Sequence, residues 1–131
     1  MTLAWLQMFN TAGESTTIAQ MNKGTTATVD AFRPPHDGTL KKIVLYVGSE
    51  AATSLVEDVR VELECSLWKP NRLHFAANGS GLRTATTPQH FPFEYDVDLP
   101  VKEQTDIRGD YVHDSGSPVT SRIRVLGLFS W

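Results

Sequence analysis

A chain of 131 residues with 12 basic and 15 acidic side chains and a net charge of −3 is long enough for one domain, residues 1–131, to bury a core without metals or disulfides. Its single cysteine excludes an internal disulfide. Its acidic balance, with Lys41 and Lys42 the one adjacent basic pair, gives no footprint for direct nucleic-acid contact.

The N-terminal MTLAWLQMFN is apolar but lacks a basic flank and is too short for a signal segment or a membrane span, so it is expected to belong to the fold. Within it, Leu3 to Phe9 reads as a first strand with Leu3 and Trp5 on one face and Ala4, Leu6 and Met8 on the other. Apolar groups on both faces point either to contact with another subunit or to a strand tucked under a loop. Ser15 to Met21 and Thr25 to Phe32 are rich in β-branched residues and flank Asn22-Lys23-Gly24, the pattern of a hairpin. Arg33-Pro34-Pro35-His36-Asp37-Gly38 then breaks regular structure.

Thr39 to Val47 predicts a strand with Ile43, Leu45 and Val47 on one face and Lys42, Val44 and Tyr46 on the other. Ser49 to Leu55 reads as a polar loop or a single helical turn. The strongest alternation follows in Glu57 to Trp68: Val59, Val61, Leu63, Cys65 and Leu67 face inward, and Arg60, Glu62, Glu64, Ser66 and Trp68 outward. A strand of that length would run ~40 Å at ~3.3 Å per residue. It is expected to pair antiparallel with the Thr39 to Val47 strand. Cys65, on its apolar side, reads as a buried small hydrophobe.

Lys69-Pro70-Asn71 makes a turn, and Arg72 to Ala77 with Leu82 to Thr87 flank Asn78-Gly79-Ser80-Gly81, a second hairpin signal. From Phe91 the alternation is strict again: Phe91, Phe93, Tyr95, Val97, Leu99 and Val101 share one face, and Pro92, Glu94, Asp96, Asp98 and Pro100 the other. The prolines near its ends suit a sheet edge or a strand terminus better than a sheet centre. Asp106 to His113 is a weaker strand, 113–118 a loop, and Val119 to Phe129 the last strand, with Ile123, Val125 and Phe129 in phase. Eight or nine short strands without an amphipathic helix predict an all-β, antiparallel β-sandwich of jelly-roll type.

Overt chemistry is sparse. Glu94, Asp96 and Asp98 stand ~6.6 Å apart on one strand face. They could hold Ca²⁺ or work as paired acids only with help from a loop; otherwise they form a solvated face balanced by Arg122 and Arg124. The same two arginines are expected to meet Arg60, Glu62 and Glu64 if the last strand lies beside that one. His36, His74, His90 and His113 have no metal-ligand spacing. Three consecutive residues, His113-Asp114-Ser115, cannot converge into a triad. Asn78-Gly79-Ser80 matches a glycosylation sequon but also reads as the hairpin's turn. No phosphate-binding glycine loop is present, and no metal or cofactor is expected.

Three stretches, DGTLKKIVLYV at 37–47, EDVRVELECSLW at 57–68 and the closing 99–129, follow one another in an order that resembles the single jelly-roll subunits of icosahedral virus and phage particles. The resemblance implies a non-enzymatic virion protein, a capsid, decoration or spike subunit, that assembles with copies of itself and with other virion proteins. The chain departs from coat subunits that package nucleic acid directly, because its N-terminus carries no charged side chain through Asn10. Subunit contacts are expected at Leu3, Trp5, Leu6, Met8, Phe9 and Trp131, with residues 1–9 as a contacting terminal strand. The alternative is a carbohydrate-binding β-sandwich whose ring contacts would be Trp68 and Tyr95.

Overall fold

Residues 3–12, 38–49, 89–101 and 121–130 form four long strands of one sheet in a computed structural model that describes residues 1–12, 18–23, 30–49, 58–78, 89–113 and 121–131. In chain order the strands are β1 (Leu3–Ala12), β2 (Ile18–Gln20), β3 (Asn22–Lys23), β4 (Gly38–Ser49), β5 (Asp58–Glu64), β6 (Arg72–Asn78), β7 (Gln89–Val101), β8 (Arg108–His113) and β9 (Ser121–Ser130). They form a five-stranded sheet, β3-β1-β9-β4-β7, and a four-stranded sheet, β2-β8-β5-β6. Every pairing is antiparallel. The chain changes sheets between β1 and β2, β2 and β3, β4 and β5, β6 and β7, β7 and β8, and β8 and β9, and the first long strand lies beside the last. That is the connectivity of a jelly roll.

The two inner faces meet in a core that includes Phe9, Leu40, Ile43, Leu45, Leu63, Ile107, Tyr111, Ile123 and Phe129, all fully buried or nearly so. Alternation places these side chains inward from both sheets, as face-to-face packing demands. In β1 the register with β9 shifts between Gln7 and Phe9, a bulge that turns Met8 and Phe9 into the core together. Upstream of it Leu3 and Trp5 stay outside, 60% and 51% exposed. β7 is an edge strand of its sheet, as its prolines require.

Several expectations are corrected. The strand begun at Glu57 ends at Glu64: Cys65 N–H donates to the Asn71 carbonyl at 2.9 Å and Trp68 N–H to the Cys65 carbonyl at 3.2 Å, so the chain turns before the cis Lys69-Pro70 bond. Beyond that turn the period of two no longer applies. Trp68 therefore points inward at 3% exposure, its indole N–H donating to the Pro100 carbonyl at 2.9 Å, while Cys65 is buried as expected. β4 and β5 belong to opposite sheets and do not pair. Asn22-Lys23 is not a hairpin turn but a short strand on β1, and β2 pairs with β8, so this segment passes from one sheet to the other. β9 lies between β1 and β4, away from β5, and cannot bring Arg122 and Arg124 to Glu62 and Glu64. The loop at 50–57, the distal half of the second hairpin at 79–88, the loop at 114–120 and the side chains of His90, His113 and Arg122 lie outside the described residues.

Candidate interaction surface

The outer faces of the two sheets differ in chemistry. On the four-stranded sheet, β5, β6 and β8 bring six charged or titratable side chains together. Arg72 on β6 reaches Glu62 at 2.5 Å, Glu64 at 2.8 Å and Asp110 at 2.5 Å, while Arg60 and His74 lie 3.2 and 3.1 Å from Glu62. The register produces this set: Glu62 stands opposite His74 on one side and Asp110 on the other, and Glu64 opposite Arg72. Glu62 is buried. Burial alone would raise its pKa, but the hydrogen bond and charge of Arg72, with His74 and Arg60, outweigh that and hold the carboxyl below its ordinary value. Asp110 and Glu62 in turn push the Arg72 guanidinium above its ordinary value. The cluster is self-satisfied, each carboxylate holding a cation.

On the five-stranded sheet the outward positions fall in register rows: Trp5, Leu128, Lys42 and Asp96; then Gln7, Leu126, Val44 and Glu94; then Asn10, Arg124, Tyr46 and Pro92. Apolar side chains from β1, β9 and β4 thus adjoin at the centre of this face. Trp5, Leu126, Val44, Tyr46 and Glu94 surround a shallow hollow of about 260 Å³. Val44 is only 3% exposed although it points away from the core.

The β7 carboxylates flank this patch. Lys42 lies 3.7 Å from Glu94 and 3.6 Å from Asp96, and Lys41 lies 3.0 Å from Asp98. Their counter-charges are the lysines of β4, the hydrogen-bonded neighbour of β7, and not Arg122 and Arg124, because β9 is one strand further away. Arg124 is exposed and carries no ion pair among the described residues. Three His, Cys, Asp or Glu side chains arranged to hold a metal ion are absent among the described residues.

The expected contact residues are thus divided. Leu3 and Trp5 are on the outer face; Leu6 is half-buried against the core; Met8 and Phe9 are fully buried and cannot touch a neighbour. Trp131 is half-buried, stacked on Phe129 at 5.0 Å with His36 edge-on at 5.3 Å, and its backbone pairs with Thr2. Of the two rings expected to contact glycan, Trp68 is sequestered, and Tyr95 packs against Phe75 at 5.4 Å while its hydroxyl donates to the Ala76 carbonyl. The outward group on β9, Leu126 and Leu128, was legible as the continuation of the Arg122, Arg124 phase but did not stand out, because neither residue type suggests surface chemistry. At the end of the sandwich, Glu64, Cys65, Ser66, Gln104, Asp106 and Arg108 line an open polar cavity of about 430 Å³. Two of its three charged groups are engaged elsewhere, Glu64 with Arg72 and Asp106 with Arg33.

No protein-family model matches the chain, and no curated protein matches it. Among solved structures, that of the infectious bursal disease virus Gx strain superposes with a TM-score of 0.52 over 98% of this chain at 8% identity. The Gt strain gives 0.51 over 98% at 12%. This chain spans about a third of those chains, 32% and 31%. The C-terminal CBM6 of LamC, a laminarinase of Zobellia galactanivorans, is matched over 98% of this chain and 100% of that domain at 11% identity, with a TM-score of 0.42. At these identities the viral likeness concerns the fold alone.

Proposed function

We propose that the chain is a non-enzymatic structural protein that self-assembles as a virion subunit, in a capsid, decoration or spike role. The observation that carries this reading is the outer face of the five-stranded sheet, where Leu3 and Trp5 are 60% and 51% exposed beside Leu126 and Leu128. A cluster of this kind on a small domain marks a surface meant to be covered. The charged side chains best placed for chemistry, Glu62, Glu64, Asp110 and Arg72, are committed to one another, which supports a non-catalytic role. The virion setting is suggested by the shared fold with the infectious bursal disease virus structures. The partners are copies of this chain and other virion proteins, without direct nucleic-acid contact.

Sedimentation velocity of the full chain over a wide concentration range tests the reading. A discrete oligomer is expected, and a strictly monomeric species at the highest attainable concentration overturns it. Saturable glycan binding by that monomer would establish the carbohydrate-binding alternative. With Trp68 sequestered, Trp5 is the large aromatic ring most exposed for stacking among the described residues.

A further inference from the structure

We propose that the outer face of the five-stranded sheet is a two-fold interface between two copies of this chain, with Arg124 of each copy engaging Asp96 of the other. The inference rests on the self-assembly reading and specifies its contact. Charge on this face is segregated and self-complementary. On the β7 side three carboxylates, Glu94, Asp96 and Asp98, share two lysines, Lys41 and Lys42, which leaves one negative charge; Arg124 supplies one unpaired positive charge among the described residues. The apolar patch lies between them.

The register fixes how two copies bring these charges together. Neighbouring strands are ~4.8 Å apart and same-face residues along a strand ~6.7 Å apart. Asp96 lies two strands across from Arg124 and two rows along, and Val44 occupies the midpoint. A two-fold axis in the plane of the interface, running along the diagonal from Trp5 to Val44, exchanges Arg124 with Asp96. It also leaves Trp5 opposite its own copy over the hollow beside Leu126. An isologous contact of this kind is self-complementary by construction. Its polar rim surrounds an aromatic and aliphatic centre, the arrangement in which a tryptophan anchor is most effective.

The other route by which a β-sandwich self-associates, edge-to-edge pairing, is blocked at the β7 edge of this sheet. Antiparallel pairing of two β7 edges would set Glu94, Asp96 and Asp98 against each other, and Pro92 and Pro100 have no N–H to donate. The face is therefore favoured over the edge by the same carboxylates that complement Arg124.

A charge-swap experiment with three exposed-site variants tests the contact, with thermal melts confirming that each variant folds. Trp5→Glu is expected to be monomeric in sedimentation velocity. Arg124→Asp and Asp96→Arg are each expected to weaken self-association by about tenfold or more, because like charges then face each other twice. Mixing the two variants is expected to restore the dimer, since both contacts then join opposite charges. If the wild type assembles but Trp5→Glu assembles equally well, or the mixture associates no better than either variant alone, this interface is wrong while self-assembly stands. A wild type that stays monomeric overturns both and leaves the face to a different partner.

Discussion

Replacing Arg72 by Leu removes the cation shared by Glu62, Glu64 and Asp110, and its cost can be worked from the geometry. Breaking a fully buried pair costs about 3–5 kcal/mol because the remaining charge is stranded, whereas exposed pairs are worth at most about 1 kcal/mol. Here the Glu62 side chain is 10% exposed, Asp110 25%, Arg72 34% and Glu64 43%. Glu62 is close to the buried limit and Glu64 close to the surface limit, so a loss of about 2–3 kcal/mol at neutral pH is expected. The pH dependence carries the sign. In the native protein the Glu62 carboxyl is held below its ordinary pKa of 4.5, so its contribution is fully present above that value and is lost as pH falls through the depressed one. Without Arg72, burial is opposed by Arg60 and His74 alone, the Glu62 carboxyl moves up from its depressed value, and acidification relieves the under-compensated charge. Urea unfolding of both proteins from neutral pH down to the acid limit of the native state should show their stabilities converging as pH falls. A difference below about 0.5 kcal/mol at neutral pH, the range of an ordinary surface substitution, or one that stays constant through the carboxylate range, would refute the shared-cation account.

Trp68→Phe should cost about 1–3 kcal/mol in denaturant unfolding, since the Pro100 carbonyl loses the indole donor and the smaller ring leaves space at a site only 3% exposed. Gly127→Ala should lower stability by about 1–3 kcal/mol through overpacking. An added Cβ there would stand 2.8 Å from Met8 Sδ and from the Phe129 ring and 2.9 Å from Leu40 Cδ1. Burial pushes the Cys65 thiol up, so a thiol reagent should modify the native protein far more slowly than the urea-unfolded chain, and rapid native modification would contradict the inward position of Cys65.

Fold class was legible because a period of two needs only the inward face of each long strand to be apolar, and β7, β9 and the part of β4 beyond its register shift at Leu40 satisfy that. Pairing was not legible, because any inward-alternating strand satisfies the same pattern whichever sheet it joins. Nothing in residue type distinguishes Arg72 from Arg122 and Arg124 as the partner of Glu62 and Glu64, yet Arg72, eight residues after Glu64, stands directly opposite it once the 65–71 turn folds back. Trp68 failed for a related reason. The alternation from Val59 carries on in residue type as far as Trp68, whereas the turn that ends it already begins at Cys65, four residues before Lys69-Pro70. Of the residues expected at a subunit contact, Leu3 and Trp5 were legible as outward, while the inward position of Phe9 beside Met8 depends on a bulge that leaves no residue signature in β1 itself.

That bulge has a cause on the neighbouring strand, and it changes what the two-sided apolar N-terminus means. Gly127 on β9 stands opposite Leu6, just before the shift, and the space its missing side chain leaves is filled by Met8. The extra residue in β1 and the glycine in β9 are one packing feature: a larger residue at 127 would collide with Met8, and a smaller one at 8 would leave a void. Two of the apolar residues that pointed to a partner are therefore used inside the protomer. Because the bulge turns Phe9 inward as well, the outward phase upstream of it consists of Leu3, Trp5 and Gln7. An antiparallel sandwich can leave one face of each sheet to water. The four-stranded sheet does so with a charged face whose groups satisfy each other, and the five-stranded sheet does not. Among the described residues, the exposed apolar side chains are thus gathered on one face, and a contact made through that face alone would be isologous and would close as a two-fold pair.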